Sequence, residues 1–182
     1  MKKKAWLLAV FYFLFLAICA GCGYTSRSLI SEKYKTIHIA PFVNKVDLTR
    51  EADSNNKYKV YRPMLETELT KAVINKFLYD GNVKPVASDS ADLVLKADLI
   101  DFRRDPLRYA DNDNIEEYRI NIVVNMNLWD KKNSKMVWEE NNFTGDASYF
   151  VTGPQAKSED LAVQDAIKDL SRRIVERVIE QW

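Results

Sequence analysis

Two cysteines, one histidine and a few carboxylate clusters are the side chains of this 182-residue chain that could do covalent, metal or acid–base chemistry. Cys19 and Cys22 both fall within the first 22 residues. That placement excludes a disulfide framework, a cysteine-based zinc site and a cysteine nucleophile from the folded body. His38 is the sole histidine, so a Ser-His-Asp triad would have to use it. No Gly-x-Ser-x-Gly turn is present to expose a partner serine. In Thr36-Ile-His-Ile39 the imidazole alternates with two isoleucines, the pattern of a strand residue that faces solvent or packs on the sheet. Asp111-Asn-Asp-Asn114 offers oxygen ligands but lacks the glycine and distal glutamate of a twelve-residue calcium loop, and reads as an acidic turn. Five glycines, none in a G-x-G-x-x-G or P-loop arrangement, leave no cradle for a nucleotide phosphate. No catalytic residue, metal site or cofactor is expected, and the chain does not read as an enzyme.

Cys22 has chemistry of another kind. Lys2, Lys3 and Lys4 precede an unbroken apolar run over residues 5–20, AWLLAVFYFLFLAICA. As a helix this run would rise about 24 Å, short of the roughly 30 Å hydrocarbon core of a bilayer, so it reads as the centre of an export signal. The run closes on Ala20-Gly21-Cys22. Small residues before a cysteine admit a signal peptidase to the bond, and the thiol can carry a diacylglycerol. The segment resembles the bacterial lipobox, with Cys19 where leucine is usual. Processing would make Cys22 the first mature residue, lipidated and acylated with palmitate-type chains; two or more chains give stable anchoring where one does not. Gly23 resembles the residue that permits transfer to the outer membrane, where aspartate would suggest retention. Residues 1–21 are thus assigned as a lipoprotein signal peptide and 22–35 as a lipidated tether. Beyond residue 21 the chain holds 24 Lys and Arg against 26 Asp and Glu. That balance argues against a nucleic-acid partner, which requires a basic excess.

The remaining residues, 36–182, form one domain. Ile37 and Ile39 mark a short strand ended by Pro41, and the polar stretch 44–59 is a loop. Leu65, Leu69, Ala72, Val73 and Phe77 form the apolar stripe of a helix that Pro63 opens and Gly81 stops. Residues 83–86, with Pro85, can be at most an edge strand. Leu93, Leu95, Ala97 and Leu99 share one face of a strand over 92–102, and the run 118–128 alternates throughout. Asp130-Lys-Lys-Asn-Ser134 is a hairpin turn into a strand over 135–148. Ser158 caps a final helix whose stripe is Val163, Ile167, Leu170, Ile174 and Val178. The expected fold is α+β, order β-α-β-β-β-α, with two helices on one face of a roughly four-stranded mixed sheet.

The lipobox with Cys22-Gly-Tyr24, the strand Ile37-His-Ile-Ala-Pro-Phe-Val-Asn44, a helix, Ala91-Asp-Leu-Val-Leu95, Glu117-Tyr-Arg-Ile120 opening an alternating strand, and a C-terminal amphipathic helix occur in this order. As an ordered set they resemble the LptE family, lipopolysaccharide-assembly lipoproteins of the outer membrane. The resemblance implies two helices on a four-stranded sheet, seated as a plug inside the β-barrel of LptD on the periplasmic side. It also implies that the pair delivers lipopolysaccharide to the outer leaflet and that basic residues contact the glycolipid. By position these fall on Arg108, in the loop before the long strand together with Arg103 and Arg104, and on Lys157 ahead of the last helix. Guanidinium and ammonium groups suit the phosphates of lipid A. The same cations could instead be solvated surface charges paired with Asp101, Asp105 or Glu159. The alternative function is a periplasmic adaptor lipoprotein of another envelope machine, a peptidoglycan-synthase activator or a secretion subunit. A lipid-binding lipoprotein stands behind that.

Overall fold

The structure, a computed structural model, describes residues 33–46, 62–111 and 113–180. The expected signal peptide, Cys22, most of the expected tether and most of the 44–59 loop lie outside the described residues. Along the chain run β1 (Thr36–Ile39), β2 (Val43–Asn44), α1 (Leu65–Asp80), β3 (Lys84–Pro85) and a 3-10 turn at Ser88–Ser90. Then follow β4 (Leu93–Tyr109), β5 (Ile115–Asp130), β6 (Lys135–Phe150) and α2 (Glu159–Ile179). The strands form one six-stranded sheet in the order β3-β1-β4-β5-β6, with β2 also on β4. β1 and β2 lie parallel to β4, whereas β4, β5 and β6 form an antiparallel meander.

The α+β class, two helices and a mixed sheet, agrees with the sequence. The strand count and order do not: the sheet has six strands, not four, in the order β-β-α-β-β-β-β-α. The additional strands, β2 and β3, are two residues long. Such a pairing forms only because the neighbouring strand is already in place, and two residues carry no periodicity to read. β3 does occupy a sheet edge, where Pro85 and its missing N–H are tolerated.

A second correction concerns strand length. β4 continues through Tyr109, so Arg103, Arg104 and Arg108 are strand residues, not loop residues. A register shift between Leu99 and Asp101 makes this possible. Strict alternation from Leu93 would turn Asp101 and Arg103 into the core. One extra residue, Ile100, resets the phase so that Phe102 is buried opposite Ile122.

One face of the sheet meets the helices. Leu93, Leu95, Ile120, Ile122, Met126 and Leu128 pack with Leu69 and Phe77 of α1 and Leu170 and Ile174 of α2 in a single core. Among the described residues this core runs from Tyr34 to Ile179. Ser158 caps α2 as expected: its Oγ accepts the Leu161 N–H at 3.3 Å. Gly145 of β6 lets α2 approach closely, since a Cβ there would lie 2.3 Å from Leu170 Cβ. The opposite face is polar and carries Arg103, Asp105, Arg119, Asn121, Asn125 and Asn127.

Candidate functional site

The two ends of the sheet carry different side chains, and the described chain begins at one of them. Tyr34 is buried, and its hydroxyl donates to Asp130 Oδ2 at 2.6 Å. Asn133 donates to the same carboxylate from its backbone N–H (2.9 Å) and its amide (2.7 Å). These hydrogen bonds, that from Tyr34 foremost, hold the Asp130 carboxyl down at about 2, with Lys33 at 3.9 Å adding attraction. On the neighbouring strand Asp92 Oδ2 accepts the backbone N–H groups of Lys35 (3.0 Å) and Thr36 (3.1 Å) and the Thr36 hydroxyl (2.8 Å). Its pKa is accordingly lowered, the Lys35 N–H contributing most. The segment arriving from Cys22 is therefore fixed to the start of β4 and the end of β5.

The other end is where β4 and β5 turn. From Leu93 to Tyr109, 17 residues, an extended strand covers about 50 Å. Arg108 sits near its tip, 59% exposed, with Nε 3.7 Å from Glu117 Oε2 and its guanidinium 5.5 Å from the centroid of the Phe150 ring. Phe150 ends β6 opposite Glu117. The chain then reverses through Gly153, whose φ of +83° suits only glycine without strain. It returns so that the Lys157 N–H donates to the Phe150 carbonyl at 3.0 Å. Arg108 and Lys157 thus share one residue as neighbour, and two distant parts of the sequence converge there. The Lys157 ammonium turns along α2 to Asp165 Oδ2 at 2.6 Å.

Arg103 and Arg104, adjacent in sequence, point to opposite faces. Arg103 lies on the open face, 3.3 Å from Asp101 and 3.9 Å from Asp105. Arg104 lies on the helix side, its Nη1 2.5 Å from Glu159 Oε2 in the first turn of α2 and its guanidinium over the Tyr118 ring at 4.9 Å. Burial alone would lower the Arg104 pKa, but the Glu159 carboxylate outweighs it and the net shift is upward. Tyr149 stacks on Tyr118 with centroids 5.8 Å apart and donates to Glu159 at 3.3 Å. Burial, then the Glu159 charge, pushes the Tyr149 hydroxyl up to about 12. This Arg104–Glu159–Tyr149–Tyr118 group fastens the start of α2, and hence Lys157, to the tip of the sheet.

Glu159 was named from the sequence as a pairing partner for the cations, and it pairs with Arg104. Tyr149 and Phe150 were missed, as were the contacts of Glu117 with Arg108 and of Tyr118 with Arg104. The readable signal was the change of apolar phase between Leu99 and Phe102, which places Arg104 on the helix side. His38 is a half-buried strand residue whose Nδ1 lies 3.2 Å from the Val86 carbonyl oxygen. Among the described residues no group of His, Cys, Asp and Glu side chains is placed to hold a metal ion, and no helix is long and apolar enough to cross a membrane.

Comparisons with known proteins follow the same lines. A family model described as LptE, Lipopolysaccharide-assembly, matches residues 34–181. No curated protein matches the chain significantly. Among solved structures, a protein from Xanthomonas campestris is similar with a TM-score of 0.53 at 15% identity, over 80% of this chain and 85% of that one. A hypothetical protein from Chlamydia trachomatis is similar with a TM-score of 0.51 at 14% identity, over 80% and 95%. At these identities the likeness is one of fold.

Proposed function

Because the chain belongs to the LptE family of lipopolysaccharide-assembly lipoproteins, we propose that it fills the lumen of an LptD-type outer-membrane β-barrel. There it helps the barrel assemble and, with it, delivers lipopolysaccharide to the outer leaflet. Acyl chains on Cys22 hold it to the periplasmic leaflet of the outer membrane. The family is non-enzymatic, and nothing in this role requires bond chemistry by the protein.

The observation that carries the reading is the separation of the two ends. The chain enters at Tyr34 beside Asp130, and Arg108 lies at the opposite end of β4, about 50 Å away. A bilayer with its headgroups is roughly 40–45 Å thick. A body tethered at one leaflet is therefore long enough to present its far tip at the other, provided that it stands in a lumen. The polar open face supports this, since the interior of a large barrel is polar. At the tip, Arg108 and Lys157 are the cations offered to lipid A phosphates; each now faces a carboxylate that a phosphate dianion would have to displace. Arg103 adds charge on the open face, and Arg104 acts by positioning α2.

The test is lipopolysaccharide binding by the Arg108→Glu, Lys157→Glu double variant, beside its thermal unfolding. Weakened binding with an unchanged unfolding midpoint supports the site; unchanged binding removes it. Acylation is tested separately, by palmitate labelling of the chain and its Cys22→Ser variant.

A further inference from the structure

Around the point of chain entry, the open face of the sheet ends in an apolar patch within a lysine rim, and we propose that this corner docks on an anionic phospholipid surface. Trp129 of β5 is 36% exposed. It pairs across the sheet with Val94 of β4 on one side and Met136 of β6 on the other, and Met136 is 41% exposed. The Lys96 ammonium lies 5.8 Å from the Trp129 ring centroid. Directly beyond come Lys131 and Lys132, on the hairpin turn that follows Trp129, and Lys135 at the start of β6, all exposed. Lys33, 66% exposed and beside Asp130, brings the incoming chain to the same corner.

Two of the carboxylates here are directed inward. Asp130 is buried and bonded to Tyr34 and Asn133, and Asp92 is bonded to Lys35 and Thr36. Asp89 is exposed on the neighbouring 3-10 turn. Lys131 donates to the Ser88 carbonyl at 2.6 Å, which orders the ammonium without neutralising it. Glu139 of β6, opposite Asn127, is the other exposed carboxylate nearby among the described residues. Against Asp89 and Glu139 stand Lys33, Lys96, Lys131, Lys132 and Lys135, so the surface charge of the corner is positive.

A tryptophan and a methionine within a ring of lysines match an interface that has headgroups on one side and acyl chains on the other. The aromatic ring sits at headgroup depth, and the lysine stems reach past apolar surface to the phosphates. Where the corner lies decides the occupant. The 32 residues that precede Lys33 include the lipidation sequence at Cys22, so this is the part of the body nearest any anchored lipid. A polybasic patch is also the second signal that converts acyl anchoring into oriented attachment. The inference rests on the anchoring part of the proposed function and is independent of the barrel.

The test uses the expected mature chain, residues 22–182 with Cys22→Ser, which contains the described core from Tyr34 to Ile179 and no acyl group. It is sedimented with phosphatidylcholine vesicles with and without phosphatidylglycerol. Binding should require the anionic lipid and fall as salt is raised. Each lysine near an anionic surface changes partitioning about fivefold, so Lys131→Gln, Lys132→Gln and Lys135→Gln together should lower it by on the order of 100-fold. Brominated lipid should quench tryptophan emission in the parent chain, and Trp129→Phe should remove most of that quenching. Equal binding to neutral vesicles, no binding to either, or an equal loss from Lys168→Glu, an exposed residue of α2 outside the corner, would overturn the proposal. Palmitate labelling that fails while vesicle binding succeeds would separate the anchor from the docking face.

Discussion

Replacing Gly145 with alanine should push helix α2 away from the sheet. The added Cβ would meet Leu170 Cβ at 2.3 Å, Leu170 Cα at 2.6 Å and Leu170 N at 2.7 Å. Two of these atoms are backbone, so no rotamer change relieves the clash. Ordinary contact begins near 3.4 Å, and α2 must therefore recede by about 1 Å along the stripe that buries Val163, Ile167, Leu170 and Ile174. Overpacking of a filled core costs about 1–3 kcal/mol, and a rigid helix backbone as the obstacle places this case at the upper end. For a body of this size a loss of about 3 kcal/mol lowers the unfolding midpoint by roughly 6–12 °C. Thermal and urea unfolding followed by circular dichroism measure it. Leu170→Ala retains all three obstructing atoms, so adding it to Gly145→Ala should not restore stability. A Gly145→Ala chain within about 0.5 kcal/mol of the parent, or rescue by Leu170→Ala, would refute the close approach.

Asp130→Asn should weaken the attachment of the entering chain by about 1.5–3 kcal/mol, the worth of hydrogen bonds to a charged group; urea unfolding at neutral pH reads it. Because folding depresses the Asp130 pKa to about 2, its contribution is complete above the ordinary carboxylate value near 4 and is lost as pH falls toward 2. A parent-minus-variant stability difference that does not shrink over that range would contradict this assignment. Arg104→Leu should cost about 1–2 kcal/mol, a charge-assisted hydrogen bond discounted for partial exposure. It should also increase hydrogen exchange in the first turn of α2 more than elsewhere. Asn121→Arg introduces charge on the open face and should reduce recovery of a co-purified barrel while leaving the unfolding midpoint within a few degrees. Asn121 donates to Asp105 Oδ2 at 2.7 Å, a bond that an arginine can replace. The Asn125 Oδ1, by contrast, accepts the Asn142 N–H at 2.9 Å where β6 breaks register, and a cation there leaves that N–H without its acceptor.

The sequence was most legible where one face repeats over many residues. α2 declares itself through Ser158, the acidic first turn and a stripe of five apolar residues, all of which are buried. β5 does so through Ile120, Ile122, Val124, Met126 and Leu128, which face the core without interruption. The β4 extension was hidden by two local features. Ile100 breaks the alternation, and Pro106 argues against a strand. Beyond Leu99 no described strand covers the outer edge of β4, so the missing N–H of Pro106 leaves no ladder position empty there. The convergence of Arg108 and Lys157 on Phe150 was not readable at all. It depends on Gly153 and on the length of a return loop, and neither fixes a direction until β6 and α2 are packed. The resemblance had paired the two residues in role; in the fold the Arg108 guanidinium and the Lys157 backbone both meet Phe150, and the Lys157 ammonium turns to Asp165.

The central claim is that this body works as a plug inside a large β-barrel. Affinity purification of the tagged, acylated chain from detergent-solubilised outer membrane tests it most directly. One large β-barrel protein should be recovered with the chain in equimolar amount, and Asn121→Arg on the open face should lower that recovery. Recovery of the chain alone, or with a complex that lacks a barrel, would contradict it.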